Sequence, residues 1–165
     1  MATNTLLQYL EGTGEDAFGN SVSLGSKLSN RRQIETFIAD EAIVSGDAVS
    51  FDMSETADGD KVLKVVKADS GTATDTCCIG IAITAAGAAG DKIDVCLAGP
   101  CEANVAATTV AGSLLQISAT AGRLDPRTVA VNEGGAATFN LFPIVAIATE
   151  ADTGNVATVI VYKQF

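Results

Sequence analysis

Residues 77–101 read CCIGIAITAAGAAGDKIDVCLAGPC, and this stretch decides the fold class. Ile79, Ile81 and Ile83 alternate with small residues, the period of two that marks a strand with one apolar face. After the Ala/Gly run 85–90 and Asp91, a second alternation carries Ile93, Val95 and Leu97. Gly99-Pro100 is expected to end that strand, because proline has no amide proton to give to a sheet ladder. Two such strands joined through Gly90-Asp91 predict a hairpin at the centre of an all-β core. The faces opposite the apolar residues are small: Cys78, Gly80 and Ala82 on one strand, and Asp94, Cys96 and Ala98 on the other. A small face admits close approach of another strand layer or another subunit, so Ala82 and Cys96 are candidate contact residues.

Working outward, the pattern continues on both sides. Ile34, Thr36 and Ile38 alternate with Glu35, Phe37 and Ala39 as a first strand. Val49, Phe51 and Met53 share a face of a second. The turn 54–60 carries Asp58-Gly59, a reversal signal, and Lys61 to Ala68 returns as a strand. Beyond the central hairpin, Leu114, Leu115 and Ile117, then 128–131, read as strands, with Ala121-Gly122 and Asn132 to Gly135 as turns. Phe139, Leu141 and Phe142 form an aromatic group before Pro143. The last pair, Ile144 to Ala148 and Val156 to Tyr162, echoes the central hairpin around Gly154-Asn155, as a recurrent hairpin design. The expected fold is all-β, a compact β-sandwich or β-barrel of about 8–11 short strands with an extended N-terminal arm. Residues 1–33 form the arm, rich in Gly, Ser and Asn, and 34–165 the β-rich domain. Within the arm, Leu6, Leu7, Tyr9 and Leu10 are the apolar content, and Lys27, Arg31 and Arg32 the clustered positive charge. Both groups are candidate contacts to a neighbour, the cations through bidentate pairing with acidic surface.

Composition narrows the function. A net charge of −10 opposes binding to a phosphate backbone, which rests on Lys and Arg releasing counterions. Aromatic residues make up 5% of the chain, with no Trp, which leaves little for stacking on bases or sugars. The chain holds no histidine. That removes the commonest general base, the Ser-His and Cys-His pairs and the commonest metal ligand, so no enzyme is expected. The start MATNTLLQYLEGTG lacks the flank and apolar run of a signal peptide, and no membrane span is expected. A cytosolic site of synthesis favours free thiols over disulfides.

Two residue clusters invite a metal reading, and their spacing argues against it. Cys77, Cys78, Cys96 and Cys101 include an adjacent pair that fits tetrahedral zinc poorly. Asp52, Glu55, Asp58 and Asp60 crowd one turn in an order unlike the EF-hand loop, and they read as a solvated acidic turn. No catalytic residue, cofactor or metal is expected.

Residues 43–100 also carry a resemblance. Gly46-Asp47-Ala48-Val49, Gly80-Ile81-Ala82, and Gly90-Asp91 through Val95 to Gly99 resemble the head decoration, or capsid cement, proteins of tailed bacteriophages. The resemblance implies a β-rich structural virion protein, made in the host cytoplasm and bound to the capsid exterior. It implies the major capsid protein as partner and a homo-oligomer, often a trimer, clamping neighbouring shell subunits. It also implies that N-terminal segments such as 1–33 make the shell contact. A second reading is a fibre or adhesin-type β module that binds a host surface glycan.

Overall fold

The computed structural model describes residues 32–127 and 143–162, and the backbone of 14–15 and 21–22. In the N-terminal segment, β1 (Gly14–Glu15) pairs antiparallel with β2 (Ser21–Val22). Strands β3 (Gln33–Ala39), β4 (Ala48–Phe51), β5 (Lys64–Lys67), β6 (Cys78–Ala82) and β7 (Lys92–Asn104) follow. A single helical turn, α1 (Asp58–Lys61), separates β4 from β5. These strands run in the order β3-β5-β4-β6-β7, and β7 pairs back onto β3, which closes a five-stranded barrel. The remaining strands are β8 (Leu114–Ile117), β9 (Leu124–Pro126), β10 (Ala146–Ala148) and β11 (Val156–Val161). They continue the sheet as β7-β11-β10-β8-β9, and a parallel bridge between Val105 and Leu124 returns its far edge to the end of β7.

The second sheet repeats the first barrel, register for register. Phe37 opposite Ile93 and Ile38 opposite Lys92 in β3·β7 correspond to Ala103 opposite Ala157 and Asn104 opposite Val156 in β7·β11. Val49 opposite Lys67 and Phe51 opposite Val65 correspond to Leu115 opposite Pro126 and Ile117 opposite Leu124. Ile81 opposite Cys96 and Ala82 opposite Val95 correspond to Ile147 opposite Ile160 and Ala148 opposite Val159. Loop bonds match as well. Asp40 N–H donates to Val65 O at 2.9 Å, as Ala106 N–H donates to Leu124 O at 2.9 Å. Ile83 N–H donates to Asp94 O at 2.7 Å, as Thr149 N–H donates to Thr158 O at 2.9 Å. The described strands therefore form two copies of one unit that share β7, and the echo of the central hairpin in residues 144–162 is one part of a longer repeat.

The cores obey the same correspondence. Ala39, Val49, Val65, Ile79, Ala82 and Val95 fill the first barrel, where Phe37 also meets Phe51 edge-on with ring centroids 6.0 Å apart. Val105, Leu115, Leu124, Val145, Ala148 and Val159 take the equivalent positions in the second unit. That second core continues onto the outer wall of the first barrel through Ala48, Cys78, Ile81 and Cys96. Burying one such isoleucine stabilises by roughly 1.5–3 kcal/mol.

The corners that turn one strand into the next share their chemistry. Gly46, Gly90, Gly112 and Gly154 all have positive φ, at 93°, 93°, 84° and 64°. Gly46 N–H donates to Ala82 O, Gly90 N–H to Ala39 O and Gly112 N–H to Ala148 O, at 2.8, 2.7 and 2.8 Å. The following residue turns its side chain back on the loop. Asp47 Oδ2 accepts from Val44 N–H at 3.0 Å, Asp91 Oδ2 from Ala88 N–H at 3.0 Å, and Ser113 Oγ from Val110 N–H at 3.2 Å. The Gly-Asp signal in the sequence is thus a corner design, fixed by glycine's access to positive φ and by a short side-chain acceptor.

Three local expectations are corrected. The first concerns the face of the first central strand. Val49 opposes Gly80 but Ser50 opposes Cys78, so Ile79 is an extra residue in a β-bulge. The bulge sends Ile79 and Ala82 into the barrel and Cys78 and Ile81 into the other core, so the isoleucines do not share one face. Second, β7 does not stop at Gly99-Pro100 but runs on to Asn104. Gly99, at φ 99°, bends it, and there the strand changes partners, from β3 and β6 to β11. Asn104 N–H donates to Gly46 O, away from β11, and by the strand period the Pro100 nitrogen faces that side too. The β11 ladder therefore loses no donor. Third, the returning strand begins at Lys64 rather than Lys61, because α1 takes up Asp58 to Lys61. The expected strand at 128–131 and the aromatic group Phe139, Leu141 and Phe142 lie outside the described residues.

Candidate functional site

The seam between the two units is the most constrained place in the described chain. Asp47 is 5% exposed. Its Oδ2 accepts from Val44 N–H, and its Oδ1 accepts from Asn104 Nδ2 at 2.8 Å. From the second unit, Gly122 N–H donates to Ala68 O at 2.9 Å and Gly122 O accepts from Ala48 N–H at 2.7 Å. Gly122 has φ 80°, and a Cβ placed there would lie 2.8 Å from Asp47 Cγ. A glycine is thus required for the second unit's β8–β9 turn to plug into the end of the first unit's β4–β5 ladder. This arrangement holds the second unit against the barrel in one orientation. It offers no open face for a substrate.

The acidic turn is a second candidate. Carboxylate oxygens of Asp40, Asp52 and Glu55 lie within 4.8 Å of one another. A cation already sits among these groups: Lys64 Nζ is 3.6 Å from Asp40 Oδ1 and 3.9 Å from Asp60 Oδ2, and it donates to Glu55 Oε1. The hydrogen bond to Glu55, above all, holds the Lys64 ammonium above its usual pKa. Burial pushes the Asp52 carboxyl up, but bonds from Ser54 Oγ at 2.6 Å and Ser54 N–H at 2.9 Å outweigh it and hold the group below the usual value. The cluster is an internal ion-pair network joining β3, the α1 turn and β5.

The cysteines are all free thiols, with Cys77 exposed and Cys78, Cys96 and Cys101 buried. Burial pushes the Cys78 thiol up to about 12. Cys96 and Cys101 meet across the bend at Gly99. The bond donated by Cys101 holds Cys96 low against burial, with Arg32 adding to the effect, while that same bond and burial push Cys101 up. Cys78, Cys96 and Cys101 are small core residues.

The sequence-based candidates fall in three places. Leu6, Leu7, Tyr9, Leu10, Lys27 and Arg31 lie outside the described residues. Arg32 is half-buried at the start of β3, beside the Cys96–Cys101 pair. Ala82 is 1% exposed and Cys96 0%. The first lies inside the barrel and the second faces the second unit, so the two residues do not share a face. Sequence reasoning read Asp47 only as a motif residue and Gly122 only as a turn residue, and it missed Asn104. Only the repeat could have found them, through the common Gly-polar corner of Gly46-Asp47, Gly90-Asp91 and Gly112-Ser113.

No helix among the described residues is long and apolar enough to cross a membrane. No protein-family model matches the chain, and no curated protein matches it. Among solved structures, it is similar to the N base of head fiber gp8.5 in bacteriophage phi29, at 15% identity and a TM-score of 0.47, over 80% of this chain and 95% of that one.

Proposed function

We propose that this chain is a structural virion protein that binds the outer surface of a phage capsid and stabilises the shell, with the major capsid protein as its partner. One observation carries the reading. The residues on which the resemblance to head decoration proteins rests are framework positions here: Gly46 and Gly90 turn the corners at φ 93°, and Gly80 packs under Cys96. The resemblance therefore concerns the parts of the chain that determine the fold. The charged groups support it too, since the densest carboxylate cluster is occupied by Lys64 and Asp47 is spent on the seam. A shell-binding protein needs contact area rather than turnover, and many copies multiply a modest energy per site. The segment 1–33, with Leu6, Leu7, Tyr9, Leu10, Lys27, Arg31 and Arg32, is proposed as the shell contact.

Cosedimentation with purified heads lacking the protein tests this. The protein should saturate the shell at a fixed copy number and raise the temperature at which heads disrupt. Deleting 1–31 should abolish uptake while circular dichroism retains the β signal. Binding to a host glycan without uptake by heads would replace this reading with the adhesin one.

A further inference from the structure

Among the described residues the chain passes from the barrel to the second unit once, along β7, and a cysteine stands on either side of that crossing. Cys96 belongs to the part of β7 that pairs with β3 and β6, and Cys101 to the part that pairs with β11. On a straight strand, residues five apart would point to opposite faces and stand roughly 16 Å apart. Two irregularities undo that separation. Ile34 opposes Cys96 but Gln33 opposes Ala98, so Leu97 is an extra residue in β7, and Gly99 turns the strand at φ 99°. Both cysteines are thereby buried in the same core, at 0% and 2% exposure. Cys96 Sγ folds over the bend, 3.4 Å from Ala98 O and 3.9 Å from Gly99 O, and it accepts a hydrogen bond from Cys101. Both are free thiols.

We propose that Cys96 and Cys101 form a redox-sensitive staple, a disulfide across the Gly99 bend that fixes the joint between the two units. The oxidant is a small organic disulfide. The Cys96 thiolate attacks one of its sulfurs, the reagent's S–S bond breaks, and one thiolate leaves. Cys101 then gives up its proton and attacks Cys96 Sγ, the mixed disulfide breaks, and the second thiolate leaves. Two electrons pass to the reagent, and the protons of Cys96 and Cys101 end on its two thiols. The surroundings of the pair assign these roles. The bond from Cys101 holds Cys96 low against burial, with Arg32 adding to it, whereas that bond and burial push Cys101 up. Both sulfurs are covered, so the first attack waits on an opening of the seam, and ring closure follows as the bend re-forms. A bond that the closed joint favours must in return favour the closed joint. Under the proposed virion role, on which this consequence rests, the chain folds among reducing thiols and is later carried into oxidising surroundings. The joint is then free to adjust during docking and fixed afterwards. The chemistry of the pair does not depend on that role.

The test uses the full chain carrying Cys77→Ser with no heads present, so its outcome is separate from capsid binding. The chain is brought to equilibrium with hydroxyethyl disulfide and mercaptoethanol, both folded and in urea. In the folded protein the mass should fall by two hydrogens, and alkylation in denaturant should then mark Cys78 alone. The fold should favour the bond at least about tenfold more than the urea-unfolded chain does. In the oxidised protein, native labelling of Cys78, which lies in the same covered core, should slow by a similar factor. Cys101→Ser in the same chain should remove both effects and leave a mixed disulfide at Cys96. A bond no more favoured in the folded protein than in urea overturns the proposal, as does a bond that joins Cys78. A mixed disulfide as the sole product of the folded Cys77→Ser chain overturns it too. Cys78 labelling that is unchanged once the bond has formed would show that the bond does not hold the joint, and overturns the staple.

Discussion

Asn104 Nδ2 donates to Asp47 Oδ1 at 2.8 Å, across 57 residues of sequence, and joins the first corner of one unit to the strand end where the next begins. Asp47 has its other oxygen on Val44 N–H, so one carboxylate fixes both a loop and the seam. Asp47→Ala leaves the Asn104 amide and the Val44 N–H without this acceptor in a buried place. The expected cost is about 2–3 kcal/mol in urea unfolding. Asn104→Ala leaves Asp47 Oδ1 buried without its donor and should cost a comparable amount. A double-mutant cycle should give a coupling of about 1 kcal/mol or more, and additivity within error would mean the bond contributes nothing to the seam.

The glycines of the repeat separate two effects that are often merged. An alanine at Gly80 would drive its Cβ into the backbone carbonyl of Cys96, where no side chain can move aside. Gly80→Ala should cost about 3 kcal/mol or more, if the chain folds at all. Gly59 sits in α1 with nothing within 4 Å of a built Cβ. Gly59→Ala should leave stability unchanged or raise it by up to about 1 kcal/mol. Equal effects at the two sites, read as shifts in the urea midpoint, would contradict the packing at the bulge.

Much of this architecture can be read in the sequence, and the exceptions have physical causes. Period-two alternation places β7 correctly, because Ile93, Val95 and Leu97 all enter the first core. It misleads at β6, since a bulge moves one residue out of phase and leaves both faces buried, from Cys78 to Ala82. Proline at 100 reads as a stop only while one partner is assumed; a strand that changes partners at a bend has a side where the missing amide proton costs nothing. The seam was invisible because Asp47, Asn104 and Gly122 are unremarkable polar and turn residues until the repeat brings them together. The residue order of the acidic turn does not show that Lys64 stands among its carboxylates, which only the fold brings about.

Two groups in that network make stability depend on pH, in opposite directions. The folded Asp52 carboxyl lies below its ordinary 3.8, so its contribution is present above that value and is lost as pH falls through the folded one. Ser54→Ala should therefore weaken the protein at neutral pH, with the gap to wild type closing as pH falls through the folded value of Asp52. The folded Lys64 lies above its ordinary 10.5, so its contribution is complete below that value and is lost as pH rises through the folded one. Lys64→Met should lower stability at neutral pH and abolish the alkaline step. Urea midpoints measured from acid to alkaline pH check both, and an alkaline step that survives in K64M would assign it to another group.

The thiols report on the seam directly. Cys77 is exposed, while Cys78, Cys96 and Cys101 are buried. A thiol moved from 9.0 to about 12 holds roughly a thousandfold less thiolate at pH 8, so Cys78 is protected by its ionisation as well as by its burial. A disulfide reagent should thus consume one thiol rapidly in the native protein and the other three only on unfolding, and Cys77→Ser should remove the fast phase. Cys96 is different in kind. Arg32 and the bond from Cys101 favour its thiolate, so what shields it is the second unit lying over the first barrel. Its labelling should follow opening of the seam rather than its own acidity. In Asp47→Ala, labelling of Cys96, and of Cys78 on the same core, should accelerate about tenfold or more. Unchanged labelling of both would mean that the Asp47 bonds do not hold the seam closed.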